Sequence, residues 1–358
     1  MPVKDDIFEG SRKNCPVSRK AHLAEKVVFV DGLFGCGKTM LAPIIAALDR
    51  VELLTYANEL EYVCSLYYLN KIELDAAMGM ARMLTDLKLY NTMMGREVNF
   101  RYGDLSSVFS DARPLRYFAR LFQPGDRAVP GKIAKEKPIL NFATHHLLAF
   151  SEPIFAALGD RAVLIEMVRH PLYMIKQNYL NMEHLICRDV RDLTIYFSYK
   201  EKELPYYVRG WEDLFLSSNS MEKAIYYTQR LTKLTDERRS MLRERLAAKI
   251  LTIPFERFVI DPWPYMEQIE KALGTRVTGT TRKMMKKQRV PRRMVAEGIG
   301  LKIYKRCGWE PPKSGSEEQE FESRRKFAAE HASAQAMRVL DRLCGDYEMR
   351  YLGKKEGM

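Results

Sequence analysis

The chain has 358 residues, 46% hydrophobic and 29% charged, enough apolar material for a sizeable core in one elaborated α/β domain or two smaller ones. Its formal net charge of +12 favours polyanionic partners, among them nucleotides, phosphorylated or sulfated sugars, nucleic acid and anionic membrane. Six scattered cysteines without a C-x-x-C pair (Cys15, Cys36, Cys64, Cys187, Cys307, Cys344) indicate neither a zinc site nor a disulfide framework, and no signal peptide or membrane-length apolar run is seen, so a soluble protein in the reducing cytoplasm is expected.

In chain order, residues 1–24 form a polar lead-in. Residues 26–31 predict a buried strand, 39–48 a helix, and 51–54 a second strand. A mostly helical stretch follows over 58–90. Residues 91–137, with recurring Gly, Pro and Arg, read as an irregular insertion or lid. Short apolar runs at 138–142 and 162–168 are strand-like, and 172–181 is helical. Residues 183–248 read as helical and amphipathic, 250–255 as a fifth strand, and the tract after it as a turn and helix. A Ser/Gly/Glu-rich joint beginning at Lys313 leads into one C-terminal helix over about 319–351. Alternating strand and helix patterns predict a parallel sheet of about five strands covered on both faces. The expected fold is thus a three-layer αβα, P-loop type domain over 25–311, with helical insertions and a C-terminal helical extension over 312–358.

The segment VVFVDGLFGCGKTML over 27–41 is the most informative one. An apolar strand runs into Gly32, Gly35, Gly37, Lys38 and Thr39, matching G-x-x-x-x-G-K-[ST], and then into an apolar helix. Glycines let backbone N–H groups converge on phosphate oxygens, the helix N-terminus adds partial positive charge, and Lys38 adds a full one. A phosphate-bearing nucleotide is the expected ligand, held by the loop from Gly32 through Cys36 and Gly37 to Met40. Cys36 reads as a small loop-filling residue.

Three further segments narrow the function. A strand ends in Ala143-Thr144-His145; another runs Glu166-Met167-Val168-Arg169-His170-Pro171; a third runs from Pro254-Phe255-Glu256 through Asp261-Pro262 to Gly274. In this order, with the glycine loop read as F-V-x-G-x-x-x-[SC]-G-[TK]-T, they resemble the sulfotransferase family over roughly 27–274. The first is similar to the family's K-T-H strand end, the second to its V-R-x-P-x-D turn, and the last to its R-Y-E-D-L…D-P…F-L-G segment.

The resemblance implies transfer of a sulfuryl group from 3′-phosphoadenosine 5′-phosphosulfate to a hydroxyl or amine acceptor, a carbohydrate among the candidates. Such an in-line displacement relies on positioning and charge stabilisation. By the same resemblance His145 is the general base, Lys38 and the loop hold the 5′-phosphate and stabilise the leaving oxygen, Thr39 adds a hydroxyl, and Arg169 holds the 3′-phosphate. His146 competes with His145, since neighbours on an extended chain face opposite ways.

Several positions depart from the family pattern. Its loop lysine falls at Gly35, while Lys38 stands where a threonine is usual. The lysine before T-H is Ala143, and the serine eight residues after the arginine, a second 3′-phosphate ligand, is Gln177, with Asn178 beside it. Lys38 can supply the missing charge and Gln177 can donate hydrogen bonds.

Other features weigh less. Seven cations over 282–293 suggest a nucleotide or acidic-glycan contact, or a solvated basic helix end. Glu59 and Glu61 fall where some carbohydrate sulfotransferases place a carboxylate base, and surface helix positions are their default. Tyr206, Tyr207, Trp211, Tyr226 and Tyr227 read as core first, with stacking on a sugar or aromatic acceptor as the alternative. The complete Walker-type loop keeps a second class open, an ATP- and Mg-dependent kinase or hydrolase, although the neighbouring strand ends lack its usual metal-holding acid. A third class is a non-catalytic nucleotide or polyanion binder. No resident metal and no nucleic acid partner are expected, and the acceptor and the oligomeric state are not legible in the chain.

Overall fold

The computed structural model describes residues 15–295 and 316–353. Cys307, the joint at Lys313 and the start of the lead-in lie outside the described residues. Seven strands are formed among those described: β1 (Val27–Asp31), β2 (Thr55–Tyr56), β3 (Leu140–Ala143), β4 (Ala162–Val168), β5 (Tyr196–Tyr199), β6 (Lys202–Pro205) and β7 (Lys249–Pro254). Five make one parallel sheet in the order β2-β3-β1-β4-β7, with Val27 level with Leu140 on one side and Ala162 on the other.

Strand periodicity explains why this sheet is buried on both faces. Successive side chains point to opposite sides. Val27 and Phe29 join one core with Leu140, Phe142 and Leu164, whereas Val28 and Val30 join a second with Val163, Ile165 and Ile253. The second core is closed by Leu41, Ile44 and Ile45 of the helix Lys38–Ala46, and the first by the long helices Leu74–Met94 and Ser220–Leu246. The chain leaves β1 for β2 and β3 on one side, then crosses to β4 and β7 on the other. That reversal opens a crevice at the carboxyl end of β1, the usual ligand position in such sheets.

Four sequence expectations shift. The strand expected at 51–54 is reduced to one parallel bridge between Val51 and Ile139, and pairing resumes at β2. There the Leu53 N–H donates to the Tyr117 hydroxyl at 2.6 Å, and buried Glu52 is held by Arg116 at 2.6 Å and Arg120 at 2.7 Å. The insertion supplying those side chains is partly ordered into the helices Pro114–Arg120 and Ala128–Glu136. The helical stretch 183–248 contains the β5–β6 hairpin, whose turn residues Lys200 and Glu201 both take positive φ, as a tight hairpin requires. Finally, the single C-terminal helix is two, Glu317–Ala329 and Ala334–Tyr347, because the Ser333 side chain caps the second by accepting from the Ala336 N–H.

Candidate active site

The crevice is built on the turn after β1. Gly37 begins the loop helix in the left-handed region at φ 106°, and a Cβ there would fall 2.4 Å from the Phe255 ring, so only glycine fits. The Lys38 side chain is buried and folds back, donating to the Gly32 carbonyl and, at 3.4 Å, to that of Leu33. Thr39 is exposed, while Cys36 and Met40 are buried. The Cys36 N–H bonds the Leu33 carbonyl and the Met40 N–H bonds that of Gly37, so both amides are engaged within the turn. Burial pushes the Cys36 thiol up from its ordinary pKa, which suits a loop-filling role.

Arg169, at the end of β4, lies directly on this loop. Its Nη1 donates to the Gly35 carbonyl at 3.1 Å. Its guanidinium is stacked between the rings of Phe255, 4.1 Å away, and Tyr173, 4.7 Å away. The Arg169 Nε is buried without a hydrogen-bond partner. Gly35 presses on the helix Pro171–His184, where an added Cβ would be 3.2 Å from both Gln177 Cβ and Met174 Cα. Gln177 therefore touches the loop, with its amide donating to Asn181 at 3.0 Å; Asn178 turns away and donates to Thr228. Arg292, from the basic run, places its guanidinium 5.4 Å from the same Phe255 ring. The run's Arg282, Lys283, Lys286, Lys287, Arg289 and Arg293 are exposed.

The strand end after β3 separates the two histidines. His146 takes φ 44°, which swings its ring inward between the hydroxyls of Tyr206 at 2.9 Å and Tyr227 at 3.0 Å. Burial, then the nearby His145 and Lys38 charges, hold its pKa well below 6.5. The His145 side chain keeps 34% exposure and lies 5.3 Å from the Phe34 ring of the glycine loop, nearly parallel to the Tyr56 ring at 6.3 Å. Phe34 in turn lies 5.8 Å from the Lys38 ammonium. Glu61 reaches His145 from the first turn of the helix Asn58–Tyr68: its Oε1 accepts the His145 backbone N–H at 2.6 Å and stands 3.4 Å from Nδ1.

The carboxylates at the neighbouring strand ends are engaged. Asp31 accepts from Thr144 Oγ1 at 2.8 Å and from the N–H groups of Leu147 and Leu148 at 3.0 and 2.8 Å. Glu166 is paired with Arg239 at 2.7 Å and accepts from Thr252 at 2.9 Å, and its burial raises its pKa despite those partners. Glu256 faces the His170 N–H and the Tyr347 hydroxyl.

Arg169 and Gln177 therefore lie on the loop that carries Lys38, and His145 reaches that loop through the Phe34 ring. Sequence reasoning missed Phe34, Tyr56 and Phe255 as the aromatic framework around these groups. Phe255 had a usable signal, since it directly follows a strand predicted to end at the same sheet edge. Nothing local pairs Glu61 with His145, which is 84 residues away.

No protein-family model matches the chain, and no curated protein matches it. Among solved structures, it is similar to the sulfotransferase domain from the curacin biosynthetic pathway, with 12% identity over 89% of this chain and 97% of that one and a TM-score of 0.43. It is also similar to the sulfotransferase domain from the Synechococcus PCC 7002 olefin synthase (13% identity, 87% of this chain, 97% of that one, TM-score 0.38). A third is sulfotransferase STF9 from Mycobacterium avium (13% identity, 94% of this chain, 79% of that one, TM-score 0.39). At these identities and scores, activity has to be argued from the chain's own residues.

Proposed function

We propose that this chain is a sulfotransferase that moves a sulfuryl group from 3′-phosphoadenosine 5′-phosphosulfate to a hydroxyl or amine acceptor, a sugar among the candidates, with His145 as general base. The observation that carries this reading is the meeting, at one sheet edge, of two cationic groups and an imidazole on a single glycine loop: Lys38 on the Gly32 carbonyl, Arg169 on the Gly35 carbonyl, and His145 against Phe34.

The residues present fit a doubly phosphorylated adenosine. Arg169 retains a buried Nε without a partner, a donor suited to an anion, and stacking on Phe255 and Tyr173 pre-orients its planar fork. Arg292 shares the Phe255 ring and adds a second guanidinium to that side. The Lys38 ammonium, on a flexible four-carbon stem, can turn from the loop carbonyls toward an anion in the turn. Gln177 lies at the same wall with amide donors. When bound, the donor supplies an activated sulfuryl group and a stable bisphosphate leaving group.

His145, against the Phe34 ring, would take the proton of the acceptor, and Lys38 would stabilise charge developing on the leaving oxygen. Asp31 and Glu166, which border the loop, are committed to backbone N–H groups and to Arg239, so charge at the loop is met by this chain's cations. That favours the sulfuryl donor over ATP with Mg.

The test is a thermal shift with adenosine 3′,5′-bisphosphate against ATP plus Mg. A ligand at about 100 times its Kd stabilises by roughly 2.7 kcal/mol. The bisphosphate should raise Tm, and His145→Ala should abolish sulfuryl transfer while leaving that shift intact. A shift with ATP and Mg alone would assign the site to phosphoryl chemistry, and an unaltered turnover in His145→Ala would remove the base.

A further inference from the structure

We propose that Glu61 is the positioning residue for His145, holding Nδ1 toward its carboxylate so that Nε2 is the nitrogen that takes the acceptor's proton. This rests on the sulfuryl-transfer reading for its chemical meaning, although the geometry stands without it. Glu61 Oε1 accepts the backbone N–H of His145 at 2.6 Å, and the same oxygen is 3.4 Å from the ring Nδ1. One carboxylate thus holds the main chain and faces the Nδ1 edge of the ring. A small ring rotation would close the longer contact, as catalytic hydrogen bonds often tighten only when substrate is bound.

The surroundings make this arrangement specific. The Glu61 side chain is only 16% exposed, and it lies in the first turn of the helix Asn58–Tyr68, where the positive end of the helix favours a carboxylate. Tyr56 and Phe34 restrict the ring from its faces. Nε2, across the ring from Nδ1, has no partner among the described residues, and the side chain is one-third exposed. A carboxylate at Nδ1 selects the tautomer that keeps the proton there and leaves a lone pair on Nε2, and it stabilises the imidazolium once that lone pair is used. Glu61 itself is engaged with the His145 backbone and faces Nδ1, so it acts through His145.

The experiment uses the full chain with ¹⁵N-labelled histidine. Long-range ¹H–¹⁵N NMR at a pH where His145 is neutral should show Nδ1 protonated and Nε2 bare, and Glu61→Ala should lose that signature. Glu61→Gln, which preserves shape and one acceptor, guards against misfolding and should retain the backbone contact. In a turnover assay with 3′-phosphoadenosine 5′-phosphosulfate and water as acceptor, Glu61→Ala should lower kcat about tenfold with KM for the donor unchanged, short of the roughly 10²- to 10⁴-fold that losing a general base costs. A proton on Nε2 in the unmodified chain, or an unchanged tautomer in Glu61→Ala, overturns the proposal. So does a loss in Glu61→Gln as complete as in His145→Ala, which would make Glu61 the base. If the tautomer behaves as expected while the chain neither binds the bisphosphate nor turns over the donor, the functional reading fails and the positioning role stands.

Discussion

Replacing Arg169 by Ala tests the site most directly, because this side chain does two separable things. It braces the loop through one hydrogen bond to the Gly35 carbonyl at 3.1 Å, and it lies on the rings of Phe255 and Tyr173. Two cation–π contacts at about 0.5–1 kcal/mol each, together with a hydrogen bond from a charged donor at about 1.5–3 kcal/mol, put the stability loss at about 2.5–5 kcal/mol as an upper range. The binding loss is distinct. A charge-assisted bond to a phosphate contributes about 1.5–3 kcal/mol, so the Kd for adenosine 3′,5′-bisphosphate should weaken roughly 10- to 150-fold. Isothermal titration calorimetry against both the bisphosphate and adenosine 5′-monophosphate separates the effects. The monophosphate lacks the 3′ group, so its affinity should change little in the variant. Arg169→Lys should restore part of the bisphosphate affinity by charge but not the planar stack. Equal weakening of both nucleotides would show that Arg169 only supports the loop, and no weakening of either would refute a 3′-phosphate site at this strand end.

Gly35→Lys would recreate the lysine that the sulfotransferase resemblance leads one to expect in the loop, yet it should damage this protein. Gly35 takes φ 83°, and a Cβ there would be 3.2 Å from Gln177 Cβ and Met174 Cα, so a cost of about 1–3 kcal/mol is expected. A lowered Tm with no gain in bisphosphate affinity is the expected result; tighter binding at unchanged Tm would contradict it. His146→Gln addresses pH. Burial keeps His146 neutral in the folded state, with its pKa well below the 6.5 of the unfolded chain. Below pH 6.5 the unfolded state therefore binds more protons, and stability falls as pH drops toward the depressed folded value, by up to about 1.4 kcal/mol per pH unit. Urea denaturation at pH 7.5 and 5.0 should show a smaller acid loss in the variant; identical losses would remove His146 as a source of the pH dependence.

Much of the fold was legible because it follows from local rules. The apolar run ending in Asp31, the glycines after it and the apolar helix face specify strand, turn and helix without outside help, and β4 occupies the predicted 162–168. The hairpin was masked because its strands, four residues each, lie inside a long helical context. At 51–54 the edge strand was shortened by Tyr117, Arg116 and Arg120, which lie more than 60 residues away.

Residue type and order by themselves determined that a glycine turn joins the first strand to a helix, that Arg169 and His145 stand at strand ends, and that a parallel sheet carries them. Only the tertiary structure decided that these ends flank the glycine turn on either side of the first strand, that His146 turns inward while His145 stays partly exposed, and that Glu61 faces the His145 ring. Periodicity and turn chemistry act over a few residues. Parallel crossovers and sheet register set which distant strand ends become neighbours, and a single positive φ at His146 sets which ring faces out.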